Sequence, residues 1–278
     1  HERFGQTKPD EGFEFASRAL AGPGFMRNEI SYYLSENLFF ARRLPSYQNQ
    51  EALNQFSQKI AEISQSLEKQ LEGKPEVLHL RGYLLLARAY TDLFFMDQDP
   101  AHLQDAERAL GKAIRLNPEF LTPYRLAGKM RFLQGRKDEG VVMYAKAYEL
   151  DNDIQKFYEW LGESFLDIGE LEQGAETLRR SLRVSGFYAE GQFDLQKVWG
   201  IADIYQKAGK YQKMAEFYEE VILHVSGAKP HPQLYASLST VYKIMGDKKK
   251  ARETTQKMVQ LYPELRSKAE EFLSTLKD

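Results

Sequence analysis

Residues Tyr124–Leu150 read YRLAGKMRFLQGRKDEGVVMYAKAYEL, and residues Tyr158–Val184 read YEWLGESFLDIGELEQGAETLRRSLRV. Small residues coincide in the two stretches at an offset of 34 residues: Gly128 and Gly162, Gly135 and Gly169, Gly140 and Gly174, Ala147 and Ser181. A sustained period of this length indicates stacked helix–turn–helix units, because each unit buries its apolar side against the next one.

The same register extends outward from this stretch in both directions. Where the two helices of a hairpin cross, each needs a small side chain. The first helices carry Ala87, Gly128, Gly162, Ala202 and Ser239 at this point, and the second helices carry Ala106, Gly140, Gly174, Met214 and Ala251. Glycines that can adopt a left-handed turn follow the first helices at Gly135, Gly169, Gly209 and Gly246. The first unit lacks such a glycine and carries an insertion at Phe95–Ala101, and a longer link is predicted near Gly186–Phe193.

The phasing predicts an all-α fold, a right-handed superhelical solenoid of helix–turn–helix repeats. Five repeats are expected within residues 76–262, at about 79–117, 121–152, 155–185, 195–225 and 232–262. Residues 1–24 are interpreted as the remnant of a preceding repeat helix, and residues 25–75 as a degenerate N-terminal helical hairpin. Residues 263–278 are expected to form a C-terminal capping helix, with Ala269, Phe272 and Leu276 covering the apolar end of the stack.

Large side chains fall at matching places in the five units. They include Tyr83, Leu86 and Tyr90; Tyr124; Tyr158, Leu161 and Phe165; Ile201 and Tyr205; and Tyr235, Leu238 and Tyr242. In this pattern the chain resembles the tetratricopeptide repeat family from about Leu78 to Pro263. The resemblance implies a non-catalytic protein–protein interaction scaffold. Its first helices would line a concave groove that takes a peptide or a partner surface.

A second resemblance concerns Gly12–Leu38, where a repeat-tail helix is followed by Gly-Pro-Gly-Phe. It looks like the start of the repeat region in bacterial membrane proteins of the O-antigen ligase and polymerase type. This implies an alternative function, an accessory domain attached to an upstream membrane part and placed on the extracytoplasmic side of a bacterial membrane. The implied partners are then another protein or a polysaccharide chain.

Motifs for other functions are missing from the sequence. It has no cysteine, and its five histidines form no HExxH motif and no i, i+3 or i, i+4 pair. Neither a GxSxG elbow nor a GxxxxGK[ST] phosphate loop occurs. The net charge of −2 gives no argument for nucleic acid, and no apolar run is long enough to span a membrane. We therefore expect no enzymatic activity, no metal, no cofactor and no nucleic-acid partner.

Charged and aromatic side chains on the first helices are the candidate binding residues. They are Arg81, Arg88, Arg125, Lys129, Phe132, Glu163, Trp199, Asp203 and Lys243. Arg125 could instead pair with Glu159, and Lys129 with Glu163, because each pair is one 34-residue period apart. Trp199 could anchor a ligand or fill the junction beside the Gly186–Phe193 insertion. Arg81 and Arg88 have no evident partner in the sequence and are the better candidates.

Overall fold

The computed structural model describes residues 58, 61, 62, 65, 69, 80–187, 194–224 and 230–276, and these residues form α-helices, turns and one 3₁₀-helix, without a β-strand. The chain divides into two compact units, His1–Asn152 and Asp153–Asp278, called unit 1 and unit 2 below. The predicted remnant at 1–24 lies outside the described residues, as does the predicted hairpin at 25–75 except for five isolated helical positions.

Unit 1 contains two helical hairpins among its described residues. Their helices are α1 (Leu80–Asp97), α2 (Pro100–Leu116), α3 (Leu121–Leu133) and α4 (Lys137–Asp151). Within each hairpin the two helices pack together, and α2 also packs against α3. Apolar residues exposed by 2% or less form the centre of this unit: Leu86, Leu93, Leu103, Leu110 and Met130.

Unit 2 contains three hairpins followed by a final helix. The hairpins comprise α5 (Ile154–Asp167) with α6 (Leu171–Val184), α7 (Leu195–Lys207) with α8 (Tyr211–His224), and α9 (Pro232–Ile244) with α10 (Lys248–Leu261). A 3₁₀-helix, Pro263–Leu265, leads into α11 (Arg266–Ser274). Each second helix packs on the first helix of the next hairpin, so that α6 contacts α7 and α8 contacts α9.

The helix crossing in the α5–α6 hairpin depends on two glycines. A Cβ atom at Gly162 would lie 2.8 Å from Cγ of Leu178, and one at Gly174 would lie 2.8 Å from Cγ of Leu166. Real Cβ atoms do not approach other carbons this closely, so any larger residue would push the helices apart. These glycines let α5 and α6 approach closely, as expected from the 34-residue register.

The turns between paired helices use a left-handed residue, but the first hairpin departs from the pattern. The predicted turn glycines Gly135, Gly169, Gly209 and Gly246 all have φ between 67° and 80°. In the first hairpin, Gln98 takes this conformation with φ 61°. The predicted insertion at Phe95–Ala101 is absorbed mainly by helix, because α1 is 18 residues long whereas α3 has 13. Asp99 then caps α2 by accepting a hydrogen bond from the amide of Ala101 at 2.9 Å.

The final helix, α11, is shorter than the predicted 263–278 and packs on the last hairpin of unit 2. Ala269 and Leu276 are each 1% exposed, and Phe272 packs against the core. The opposite side of α11 carries polar residues such as Ser267 and Glu270, which are exposed. The predicted all-α fold of stacked helix–turn–helix repeats is thus confirmed.

Candidate functional site

The exposed side of the first helices in unit 1 is basic. Arg81 is exposed and Arg88 half-buried on α1, and neither has an acidic partner within ion-pair distance among the described residues. On α3, Arg125 and Lys129 are half-buried, and Nζ of Lys129 lies 5.6 Å from the ring centroid of Phe95. Lys129 therefore already lies over an aromatic ring of its own unit, whereas Arg81 and Arg88 are the more available cations.

Phe132 is not a surface residue, and the prediction that it contributes to a groove is wrong. Its side chain is 1% exposed, and its ring lies 6.0 Å from that of Tyr144. The space for this ring exists because residue 140 is glycine: a Cβ there would lie 2.7 Å from Cε2 of Phe132. Phe132 therefore stabilises the α3–α4 hairpin from inside.

The first-helix face of unit 2 consists of the exposed side chains of α5, α7 and α9. Glu163 and Asp203 are exposed, and Trp199 is half-buried. Oδ2 of Asp203 lies 2.6 Å from Nζ of Lys207, one turn further along α7. Gly200 follows Trp199 and is exposed, and a Cβ at this position would meet nothing within 4 Å. The helix surface at Gly200 is consequently open to solvent.

Lys243 lies at the edge of the same face and contacts α11. Its Nζ donates a hydrogen bond to Oγ1 of Thr275 at 2.8 Å and lies 5.6 Å from the ring centroid of Phe272. Lys243 thus helps to position the final helix beside α9. Glu159 accepts a hydrogen bond from Gln155 at 2.7 Å within its own helix. The pairs Arg125–Glu159 and Lys129–Glu163 link residues of different units and stay predictions.

A cleft of about 400 Å³ opens between α9 and α11, and is called the α9–α11 cleft below. Its apolar walls and floor include Ala236, Met258, Ala269 and Phe272, with Gln233 and Lys268 among the polar residues. At its base, Oγ1 of Thr255 lies 3.1 Å from Oγ of Ser239 and donates a hydrogen bond to the carbonyl oxygen of Ala251 at 2.8 Å, so this buried hydroxyl has partners within the protein. Small side chains at Ala236 and Ser239 leave the space open. Both are visible in the sequence, but only Ser239 lies at a predicted helix crossing.

Comparison with known proteins identifies the last two hairpins of unit 2 as repeats of a known family. The family model described as "Tetratricopeptide repeat" matches residues 199–223 and 232–265, which comprise most of α7–α8 and all of α9–α10. The chain therefore contains tetratricopeptide repeats. No curated protein matches the sequence.

Solved structures of other tetratricopeptide repeat proteins resemble the chain at low sequence identity. The C-terminal part of one from Cytophaga hutchinsonii is 14% identical with a TM-score of 0.48, covering 90% of this chain and 87% of that one. One from Parabacteroides merdae is 15% identical with a TM-score of 0.42, covering 96% and 100%. One from Thermus thermophilus is 19% identical with a TM-score of 0.41, covering 71% and 98%.

The second helices of the tetratricopeptide repeats in unit 2 carry an ionic network that sequence phasing missed. Nε of Arg179 on α6 lies 2.6 Å from Oε2 of Glu220 on α8, and Nε of Arg183 lies 2.6 Å from Oε1. Burial alone would raise the pKa of Glu220, but hydrogen bonds from Arg183 and Arg179 outweigh it and lower the pKa below its usual value. Arg179 and Glu220 are 41 residues apart, so a search at the 34-residue period does not find them.

His224 and His231 lie at helix ends in the described part of the chain. No group of three His, Cys, Asp or Glu residues there could hold a metal ion, and no helix there is long and apolar enough to cross a membrane. Nδ1 of His224 lies 2.9 Å from the carbonyl oxygen of Glu220, and Nδ1 of His231 accepts from the amide of Gln233 at the start of α9. Both histidines thus have local roles at helix ends.

Proposed function

We propose that the chain is a non-catalytic protein-interaction scaffold that binds an extended peptide segment of a partner on the first-helix face of unit 2. Tetratricopeptide repeat proteins are protein-interaction scaffolds, and stacked repeats create extended surfaces suited to this task. The observation that carries the proposal is the α9–α11 cleft, an open apolar space at one end of this face.

The cleft suits a single apolar side chain of an extended peptide. Its volume of about 400 Å³ lies within the usual range for ligand clefts, and a side chain that enters it removes the exposed parts of Ala236 and Phe272 from water. Polar groups of Gln233 and Lys268 at the cleft are available to the peptide backbone or to an acidic neighbour. The peptide would continue past Asp203 towards Trp199, whose half-buried indole provides a second apolar contact.

On unit 1, Arg81 and Arg88 are proposed to bind acidic parts of a partner. Both are on the first helix of their repeat, and both lack an acidic partner among the described residues. The alternative role, beside a membrane glycan-processing enzyme, rests on residues 12–38, which lie outside the described part of the chain. No observation in the structure favours it, and it stays a prediction.

Selection of peptides on the purified chain tests the proposed function. Peptides from a random display library would be enriched, synthesised with a fluorophore and measured by anisotropy. Ala236→Trp fills the α9–α11 cleft and should weaken binding at least about tenfold, which corresponds to about 1.4 kcal/mol. Trp199→Ala should weaken it as well. Ala101→Trp is the matched control, because Ala101 is also an exposed helical alanine but lies in unit 1.

Two results would refute this proposal. One is that no peptide is enriched over a surface without the chain. The other is that the selected peptides bind Ala236→Trp and Ala101→Trp with equal affinity while both variants melt like the unmodified chain.

A further inference from the structure

Unit 1 contains a second cleft, on the second helices of its repeats rather than on the first. It has a volume of about 570 Å³ and lies along α2, with contributions from α3 and α4. Its floor is apolar and includes Leu110, Ala127 and Met143, while Arg108, Lys112 and Arg115 line it from α2. This space is called the α2 cleft below, and the proposed function does not use it.

Gly111 keeps the α2 cleft open. A glycine in a helix interior costs about 0.5–1 kcal/mol relative to alanine. At Gly162 the close approach of two helices explains this cost, but a Cβ at Gly111 would meet only Nη1 of Arg115, at an ordinary 3.7 Å. Packing of the hairpin therefore does not require glycine here. The missing side chain instead leaves room in the cleft, and the guanidinium of Arg115 lies beside this room.

The charge of the α2 cleft is positive in effect. The carboxylate that lines it, Glu107, already forms ion pairs with two arginines. Its Oε1 lies 2.6 Å from Nη2 of Arg131, and its Oε2 lies 3.2 Å from Nη1 of Arg136. Gln134 also donates to Glu107 at 3.0 Å. With Glu107 neutralised, the cations of α2 have no equivalent opposing charge inside the cleft. This local excess contrasts with the net charge of −2 of the whole chain.

Arg108, Lys112 and Arg115 have different neighbours, and each of the three can still bind a ligand. Arg108 makes an exposed ion pair at 2.7 Å with Asp105, one turn earlier on α2. Exposed pairs of this kind contribute only about 0–1 kcal/mol and are easily exchanged. Nζ of Lys112 lies 5.3 Å from the ring centroid of Tyr83. Arg115 has no acidic partner within ion-pair distance among the described residues.

We propose that the α2 cleft is a second docking site of this protein, for an acidic peptide segment of a partner in which an apolar side chain is flanked by carboxylates. The apolar side chain enters the space at Gly111 and contacts Leu110 and Met143. The flanking carboxylates bind Arg108, Lys112 and Arg115. This cleft is on the second helices of unit 1 and includes no residue of the first-helix face of unit 2.

Defined probes test the charge and the apolar requirement separately. The first probe is a fluorescein-labelled peptide with a leucine flanked on each side by glutamates. The second replaces the glutamates with lysines, and the third replaces the leucine with glycine. The unmodified chain should bind the first probe at least about tenfold more tightly than either of the others at low salt, and should lose affinity as salt screens the carboxylates.

Matched variants locate the site. Gly111→Leu fills the cleft and should weaken binding of the first probe at least about tenfold. The variant should melt at the same or a higher temperature than the unmodified chain, because leucine favours helix. Arg108→Glu combined with Arg115→Glu should abolish detectable binding. The controls are Ala101→Leu, an exposed helical alanine of α2 that does not line the cleft, and Arg180→Glu combined with Arg252→Glu, two exposed arginines of the second helices of unit 2. Both controls should bind like the unmodified chain.

Several outcomes would overturn the proposal. Equal binding of the glutamate and lysine probes, no binding of the first probe, or unchanged binding by folded Gly111→Leu would each exclude an acidic peptide in this cleft. Tighter binding of a single-stranded oligonucleotide with the same dependence on Gly111 would assign the cleft to nucleic acid instead. Self-association that is lost in Gly111→Leu would assign it to a second copy of the chain.

Discussion

Arg179 on α6 and Glu220 on α8 form an ion pair that joins the second helices of neighbouring repeats. Their side chains are exposed by only 12% and 9%, and the guanidinium of Arg179 also lies 5.8 Å from the ring centroid of Phe217. Further along the same helices, Lys213 binds Glu172 at 3.0 Å and Glu176 at 3.1 Å. The two hairpins are therefore connected by charge as well as by apolar packing.

Removing the carboxylate of Glu220 should destabilise unit 2. Glu220→Ala leaves Arg179 largely buried without its main partner, and breaking such a buried pair from one side costs about 3–5 kcal/mol. Urea unfolding followed by circular dichroism measures the change. Glu216→Ala is the control, because Glu216 is exposed on the same helix, and it should change stability by no more than about 0.5 kcal/mol. Equal effects of the two substitutions would show that the ion pair contributes little.

Stability should fall in acid partly because of the same carboxylate. The pKa of Glu220 is lower in the folded chain than in the unfolded one, so the unfolded state binds more protons as the pH falls. Its contribution is complete above about pH 5 and is lost as the pH falls through the folded-state pKa. Glu220→Gln should therefore show a shallower loss of stability between about pH 5 and pH 3 than the unmodified chain. Parallel curves would contradict this assignment.

Gly162 should tolerate no larger side chain. Gly162→Leu places atoms where Leu178 already lies, and this overpacking should destabilise the α5–α6 hairpin by about 1–3 kcal/mol or more. Gly200→Leu should instead preserve or raise the melting temperature, because its Cβ position is open and leucine favours helix. Calorimetry of the two variants compares them directly. A negligible shift for Gly162→Leu would mean that the helices do not cross at this point.

Gln98 should be replaceable by glycine with a gain in stability. Its φ of 61° is a left-handed conformation that costs roughly 1–2 kcal/mol for residues with a Cβ. Gln98→Gly removes this cost, although it also loses the side-chain hydrogen bond to the carbonyl of Phe95 at 3.3 Å. We expect a net gain of up to about 1 kcal/mol in chemical denaturation. Gln98→Val, a β-branched residue, should lose stability, and the reverse order would contradict the assigned turn.

Features that recur at the same position of each repeat could be predicted from the sequence. A close approach of two helix backbones, or a left-handed turn, requires the same type of residue in each repeat. Gly162 and Gly174 at the helix crossing, and the glycines of the turns, follow from this. Features particular to one hairpin could not be predicted in the same way. Gln98 occupies a turn that has no glycine. The ring of Phe132 fills the space beside Gly140, whereas helical periodicity alone does not decide which side of α3 this ring occupies.

The candidate surfaces were less predictable than the fold. Trp199 and Asp203 could be predicted as binding residues because the sequence places them on a first helix. The α9–α11 cleft could not, because it depends on where α11 packs after the 3₁₀-helix Pro263–Leu265. That placement depends on tertiary contacts such as the one between Lys243 and Thr275, which no local pattern specifies.

Hydrogen exchange of the chain with a peptide selected on it tests the proposed function most directly. We predict that amides in α7, α9 and α11 become slower to exchange when the peptide is bound, and that those of α6 and α8 do not change. Ala236→Trp should remove this protection, while Ala101→Trp should retain it. Protection confined to α6 and α8, or protection that persists in folded Ala236→Trp, would contradict binding on the first-helix face of unit 2.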